Sequence, residues 1–134
     1  MALTILAVDD SRTMRDMLSF ALKGAGFDVS VAEDGVHGLE VLPDVCPDVI
    51  ITDMNMPRMD GLGFIKGVRS DNSFRAIPIL VLTTESGAEL KAKAREAGAT
   101  GWIVKPFDKD KLVAAIRRRF RFPPPSPSPI AARR

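Results

Sequence analysis

Five side chains able to do chemistry stand where short apolar runs end. Asp9 and Asp10 follow residues 3–8, Asp53 follows residues 49–52, Thr83 follows residues 79–82, and Lys105 follows residues 101–104. Singly each has an ordinary explanation. An Asp after a strand is usually a turn or capping residue, a loop Lys is usually solvated, and a Thr can simply end a strand. Together they make a set with a purpose. Three carboxylates in one place repel one another. A hard divalent cation relieves that, and Mg²⁺ typically takes one or two carboxylates, keeps several waters and accepts a phosphate oxygen. Zinc is disfavoured, because no Cys or His stands with them. A carboxylate is also a competent nucleophile towards phosphorus. Phosphoryl transfer asks for positioning and charge stabilisation, which the Lys105 ammonium and the Thr83 hydroxyl can supply as donors.

The elements that must bring these residues together are readable from periodicity. Residues 3–8, 49–52 and 79–82 are continuous apolar runs, the pattern of strands buried on both faces of a parallel sheet. Residues 27–31 alternate apolar and polar, which predicts a half-exposed edge strand, and residues 101–104 a short fifth strand. Between them lie helical patterns. The first has Met14, Met17, Leu18, Ala21 and Leu22 on one face, capped by Asp10 or Ser11 and ended by Gly24 and Gly26. The second follows Glu33-Asp34-Gly35, turns Val36, Leu39 and Leu42 inward, and is expected to stop at Pro43. The third is marked by Leu62, Ile65 and Val68, the fourth by Leu90, Ala94 and Ala97, and the last by Leu112, Ile116 and Phe120. Strict alternation of strand and helix predicts an α/β fold with a parallel sheet and helices on both faces. In such sheets ligands lie beyond the carboxyl ends of the strands, the rim that carries all five residues. His37, the one histidine, falls on the second helix and reads as an exposed surface residue.

Composition narrows the classes. A chain of 134 residues with 46% hydrophobic and 27% charged residues suits one globular domain. The net charge of +2 is too small to imply nucleic-acid or membrane binding. Cys46 stands alone, which fits a reducing compartment. The first residues lack the pattern of a signal peptide, and no apolar stretch approaches the ~18 residues of a membrane span, so a cytoplasmic protein is expected. Residues 122–134 form a Pro-rich, basic tail expected to be extended and without a function of its own. The basic run from Arg117 to Arg121 reads as a solvated helix end favoured by the helix dipole.

With these residues in place the chain resembles the receiver domains of two-component response regulators over residues 3–120. The resemblance rests on Asp9-Asp10, on the loop Asp53-Met54-Asn55-Met56-Pro57-Arg58-Met59-Asp60-Gly61, on Thr83, and on Lys105-Pro106-Phe107. Within that family it is most similar to single-domain chemotaxis regulators of the CheY type. The resemblance implies a flavodoxin-like, doubly wound (βα)5 fold with strand order 2-1-3-4-5 and a receiver domain at residues 1–121. It implies Asp53 as the phosphoacceptor, with Mg²⁺ held by Asp10, Asp53 and the carbonyl of Asn55 while Asp9 acts through water. Asn55 and Glu85 occupy positions that tune dephosphorylation, and the bond before Pro106 is expected cis. Trp102 stands where the family usually has a Tyr or Phe that switches position, beside Thr83 and Lys105. The phosphodonor would be a sensor histidine kinase, and the protein, a monomer, would be a signalling protein rather than an enzyme. With no DNA-binding domain following, output would pass through a protein partner such as the flagellar motor switch; a phosphate sink or a phosphorelay intermediate is the alternative.

Two rival readings use the same residues. A Mg²⁺-dependent phosphatase with an aspartyl-phosphate intermediate also ends an apolar strand in a nucleophilic Asp, but needs a second Asp where Asn55 stands and a larger chain. A flavodoxin would leave Thr83 and Lys105 unexplained, and Asp9-Asp10 would repel its flavin phosphate.

Overall fold

The computed structural model describes residues 2–118. Five strands, β1 (Thr4–Val8), β2 (Asp28–Ala32), β3 (Val49–Thr52), β4 (Ile79–Thr83) and β5 (Gly101–Val104), alternate with α1 (Arg12–Gly24), α2 (Gly35–Val45), α3 (Gly61–Ser70), α4 (Ala88–Ala97) and α5 (Lys109–Arg118). All strand pairs are parallel and the order is β2-β1-β3-β4-β5. The doubly wound arrangement expected from the alternation of elements is therefore present. The half-polar β2 does lie at an edge, and β3, wholly buried, is central.

Each strand feeds two cores, because successive side chains point to opposite faces. Leu6, Val8, Ile50 and Val81 pack with Leu42, Phe64, Ile65, Val68 and Ala94 under α2, α3 and α4. Ile5, Ala7, Ile51 and Leu82 pack with Leu18, Leu22, Leu112 and Ile116 under α1 and α5. The sheet is thus sealed on both sides, and polar side chains reach the centre only at the rim.

The helices differ from the sequence reading in three places. Met17, expected inward, is 49% exposed, and α1 buries Leu18, Ala21 and Leu22 instead. That narrower stripe suffices because α5 shares the same face of the sheet. Pro43 does not stop α2, which continues to Val45 and ends on Cys46 in the left-handed conformation (φ 47°). Pro43 lacks one N–H and its ring faces solvent, and the Cys46 amide closes the turn beyond it on the Leu42 carbonyl at 2.9 Å. His37 is half-buried rather than exposed, and its Nδ1 accepts from the Glu33 amide at 3.2 Å. Phe120, Arg119, Arg121 and the whole of the Pro-rich tail lie outside the described residues. Arg117 is committed: its Nη2 donates to the Ala25 carbonyl at 3.0 Å and its guanidinium lies 4.8 Å from the centre of the Phe27 ring.

Candidate functional site

Register brings the rim together. β1 and β3 are neighbours with Val8 opposite Thr52, so Asp9 and Asp53 leave adjacent strands at the same height. The Asp9 amide bonds to Ala32 and the Asp53 amide to Val8, which holds both residues to the sheet one step beyond its last pair. Lys105 is fixed likewise by its amide on the Thr83 carbonyl at 2.8 Å, and the Lys105–Pro106 bond is cis, as expected. Its ammonium then lies across the site, 2.8 Å from Asp9 Oδ2 and 3.0 Å from Asp53 Oδ2. Asp10 completes the group: oxygens of Asp9, Asp10 and Asp53 all lie within 4.8 Å of one another.

Burial sets the electrostatics. Asp9 and Asp53 are buried while Asp10 is exposed. Burial pushes the Asp9 carboxyl above its ordinary value, with the Asp53 charge adding to it, against the Lys105 ammonium and the Ser11 amide at 2.9 Å. For Lys105 burial works against the charge, but its bonds to Asp9 and Asp53 more than offset that and hold its pKa above the usual lysine value. One ammonium is shared by two buried carboxylates and a third lies at their side, so the site is short of positive charge. The donors are all carboxylate oxygens, open to solvent through Asp10, which fits Mg²⁺ and not a softer metal.

The remaining expected residues form a second arc. Thr83 is fully buried at the end of β4, and its Oγ1 accepts from the Glu85 amide at 3.4 Å. Its hydroxyl donates to no acceptor among the described residues. Asn55 Nδ2 donates to Glu85 Oε1 at 3.3 Å, and the Trp102 indole N–H donates to the Glu85 carbonyl at 3.1 Å. Trp102 is therefore tied as well as packed. Glu85 links two residues, one from each neighbouring element, that the sequence could not connect.

The β3–α3 loop is held closely to the strand end. Met54 is buried, its amide donates to Asp53 Oδ1 at 2.6 Å, and Gly61 returns to donate to the Met54 carbonyl at 2.8 Å. A Cβ on Gly61 would collide with the Asp53 carbonyl oxygen and lie 2.8 Å from the Met54 Cα. Asp60 then caps α3 through the Gly63 amide. Sequence reasoning missed one contact here. Arg58, in the left-handed conformation (φ 64°), grips Asp34 at the start of α2. Asp34 was readable as a cap, but an arginine with positive φ runs against residue preference.

The response regulator receiver domain family matches residues 5–117, the stretch that holds the 2-1-3-4-5 sheet, its acidic rim and the Lys105 bridge. The chain belongs to that family. Among curated proteins it is 47% identical over 119 residues to the chemotaxis protein CheY1 of Helicobacter pylori, covering 84% of this chain and 95% of that protein. It is 34% identical over 130 residues to the protein PilG of Pseudomonas aeruginosa, covering 97% and 93%. Among solved structures, the chemotaxis protein CheY4 of Vibrio cholerae superposes with a TM-score of 0.86 at 42% identity, covering 90% of this chain and all of that one. No helix among the described residues is long and apolar enough to cross a membrane.

Proposed function

We propose that this receiver domain is a phosphorylation-dependent signalling switch in which Asp53 accepts a phosphoryl group from the phosphohistidine of a sensor kinase. The observation that supports this most is the shared ammonium: Lys105 lies 3.0 Å from Asp53 Oδ2 and 2.8 Å from Asp9 Oδ2, with Asp10 beside them. Asp10, Asp53 and the backbone carbonyl of Asn55 would hold Mg²⁺, with Asp9 behind them. When bound, the ion supplies positive charge for the oxygens of the incoming phosphoryl group. In the transfer an Asp53 oxygen bonds to phosphorus while the bond from phosphorus to the donor imidazole breaks. Lys105 neutralises a phosphoryl oxygen, and Thr83 turns its unused hydroxyl towards another. Asn55 and Glu85, already hydrogen-bonded to one another, flank the approach of hydrolytic water.

The output is a change in the surface built from α4, β5 and α5, read by a partner protein in the cytoplasm. Relatives named as chemotaxis proteins make the flagellar motor switch the first candidate. The test uses a phosphorylated kinase as donor. Asp53→Asn keeps the side chain's shape without its nucleophile, so it should fold and incorporate no acid-labile phosphate. In the wild type, saturating Mg²⁺ should stabilise the fold by roughly 1–3 kcal/mol through mass action. Incorporation that persists in Asp53→Asn would overturn the assignment.

A further inference from the structure

The grip of Arg58 on Asp34 has a geometry that a stray surface pair lacks. Arg58 Nε donates to Asp34 Oδ2 at 2.7 Å and Nη2 to Oδ1 at 3.1 Å, the two-pronged fit of guanidinium to carboxylate. The Asp34 side chain is only 4% exposed, and it also caps α2 by accepting from the His37 amide at 2.9 Å. A backbone contact runs beside the pair, with the Gly35 amide 3.3 Å from the Met59 carbonyl oxygen. That approach is close enough that a Cβ on Gly35 would stand 2.8 Å from the same oxygen. The start of α2 is thus fastened to the middle of the β3–α3 loop.

What the fastening holds is a strained turn. A non-glycine residue with positive φ is uncommon and persists where its surroundings insist on it. The two ends of the loop are anchored at Met54 and at Asp60-Gly61. Between them, Asn55 has one side-chain bond, at 3.3 Å to Glu85, Met56 packs on the core, and the next polar side-chain anchor is Arg58. Without Asp34, Arg58 would gain by leaving the left-handed region, and the turn that carries Asn55 would move with it.

We propose that the Asp34–Arg58 pair is a positioning device for the Asp53 site: it fixes the turn bearing Asn55 so that its backbone oxygen is already set for a divalent cation. This rests on Asp53 being a Mg²⁺-assisted phosphoacceptor. Asp34 and Arg58 touch neither the cation nor the phosphoryl group, and act through the loop. The pair also ties the edge of the sheet at β2 to the site, although β2 contributes no residue to the rim.

The test is Mg²⁺ binding measured by calorimetry on the full chain, beside thermal unfolding without the ion. Arg58→Ala removes the guanidinium and leaves the left-handed turn as costly as before. Asp34→Asn keeps the cap, since Asn caps as well as Asp, while removing the charge. Each should weaken Mg²⁺ binding roughly tenfold, the size of losses seen when an outer partner of a metal site is removed. The double variant should bind no worse than either single one, because both break the same contact. Arg58→Lys, which retains a charge but not the fork, should fall between. Single variants that bind Mg²⁺ within twofold of wild type, even if they unfold at lower temperature, would overturn the proposal and leave the pair a structural brace. A wild type that binds no Mg²⁺ would overturn the phosphoacceptor reading and this proposal with it.

Discussion

Two loops meet over Asp53 and they are built in opposite ways. The β3–α3 loop is fastened along its length, by the buried Met54, by Gly61 folded back on the strand end, by Asp60 capping α3, and by the Arg58 fork on Asp34. The β4–α4 loop has few such ties. Its helix begins at Gly87 with no side-chain cap, whereas α1, α2 and α3 begin at Ser11, Asp34 and Asp60, each with one. Its contacts to the rest of the site pass through Glu85: a 3.4 Å bond to Thr83, a 3.3 Å bond to Asn55 and the indole of Trp102. The loop that would hold a cation and a phosphoryl group is preset, and the loop that would report them is poorly capped. Local stability differs across a fold, and switching elements come from its weaker parts.

The contrast can be broken from either side. The largest effect is expected at Gly61→Ala, where the new Cβ meets backbone atoms of Asp53 and Met54 that cannot yield without moving the strand end. Overpacking of this kind should cost about 2 kcal/mol, read by denaturant unfolding; unchanged stability would mean the loop is not held against the strand end. A smaller effect concerns acid. Hydrogen bonds from Arg58 first, and from the His37 amide second, hold the Asp34 carboxyl below its ordinary value of 3.8. A depressed folded value gives stability that is complete above the unfolded value and is lost as pH falls through the folded one. The stability difference between wild type and Arg58→Ala should therefore be flat near neutral pH and shift towards the variant below 3.8. A difference that stays flat to the lowest pH at which the protein folds would show that the pair does not stabilise the ionised Asp34. The smallest effect is expected at Gly87→Asp. A side-chain cap in place of glycine should add a few tenths of a kcal/mol, raise the unfolding temperature slightly, and reduce any movement of α4. No change in either would place the flexibility elsewhere.

How much of this was legible in the sequence varied with the kind of interaction. Apolar runs ending in Asp9, Asp53, Thr83 and Lys105 predicted both the strands and the rim, because burial on two faces leaves a strong mark on composition. Neighbour order was not readable from those runs alone and came with the resemblance to a family. Met17 was placed inward because a spacing rule counts positions and does not know how wide a stripe the opposing helix leaves to fill. Pro43 reads as a stop because proline disfavours a helix interior, and that rule does not weigh the Cys46–Leu42 backbone bond that closes the turn beyond it. Arg58 was invisible as a clasp, since its partner is 24 residues away and its backbone conformation opposes its type. Trp102 was recognised as a bulky neighbour of the site, but its N–H bond to the Glu85 carbonyl depends on a register that only the fold supplies.

Trp102 also provides the most direct test of the claim that a phosphoryl group on the fixed loop is read out through the loose one. It is the one tryptophan and the chain has no tyrosine, so emission reports this position alone. Beryllofluoride with Mg²⁺, a stand-in for the phosphoryl group on Asp53, should draw the Thr83 hydroxyl inward, disturb Glu85 and loosen the indole bond. The emission of Trp102 should therefore shift on adding the pair, and Thr83→Ala should lose most of that shift while still accepting phosphate at Asp53. Identical spectra with and without beryllofluoride in the wild type, under conditions where Asp53 is modified, would contradict it.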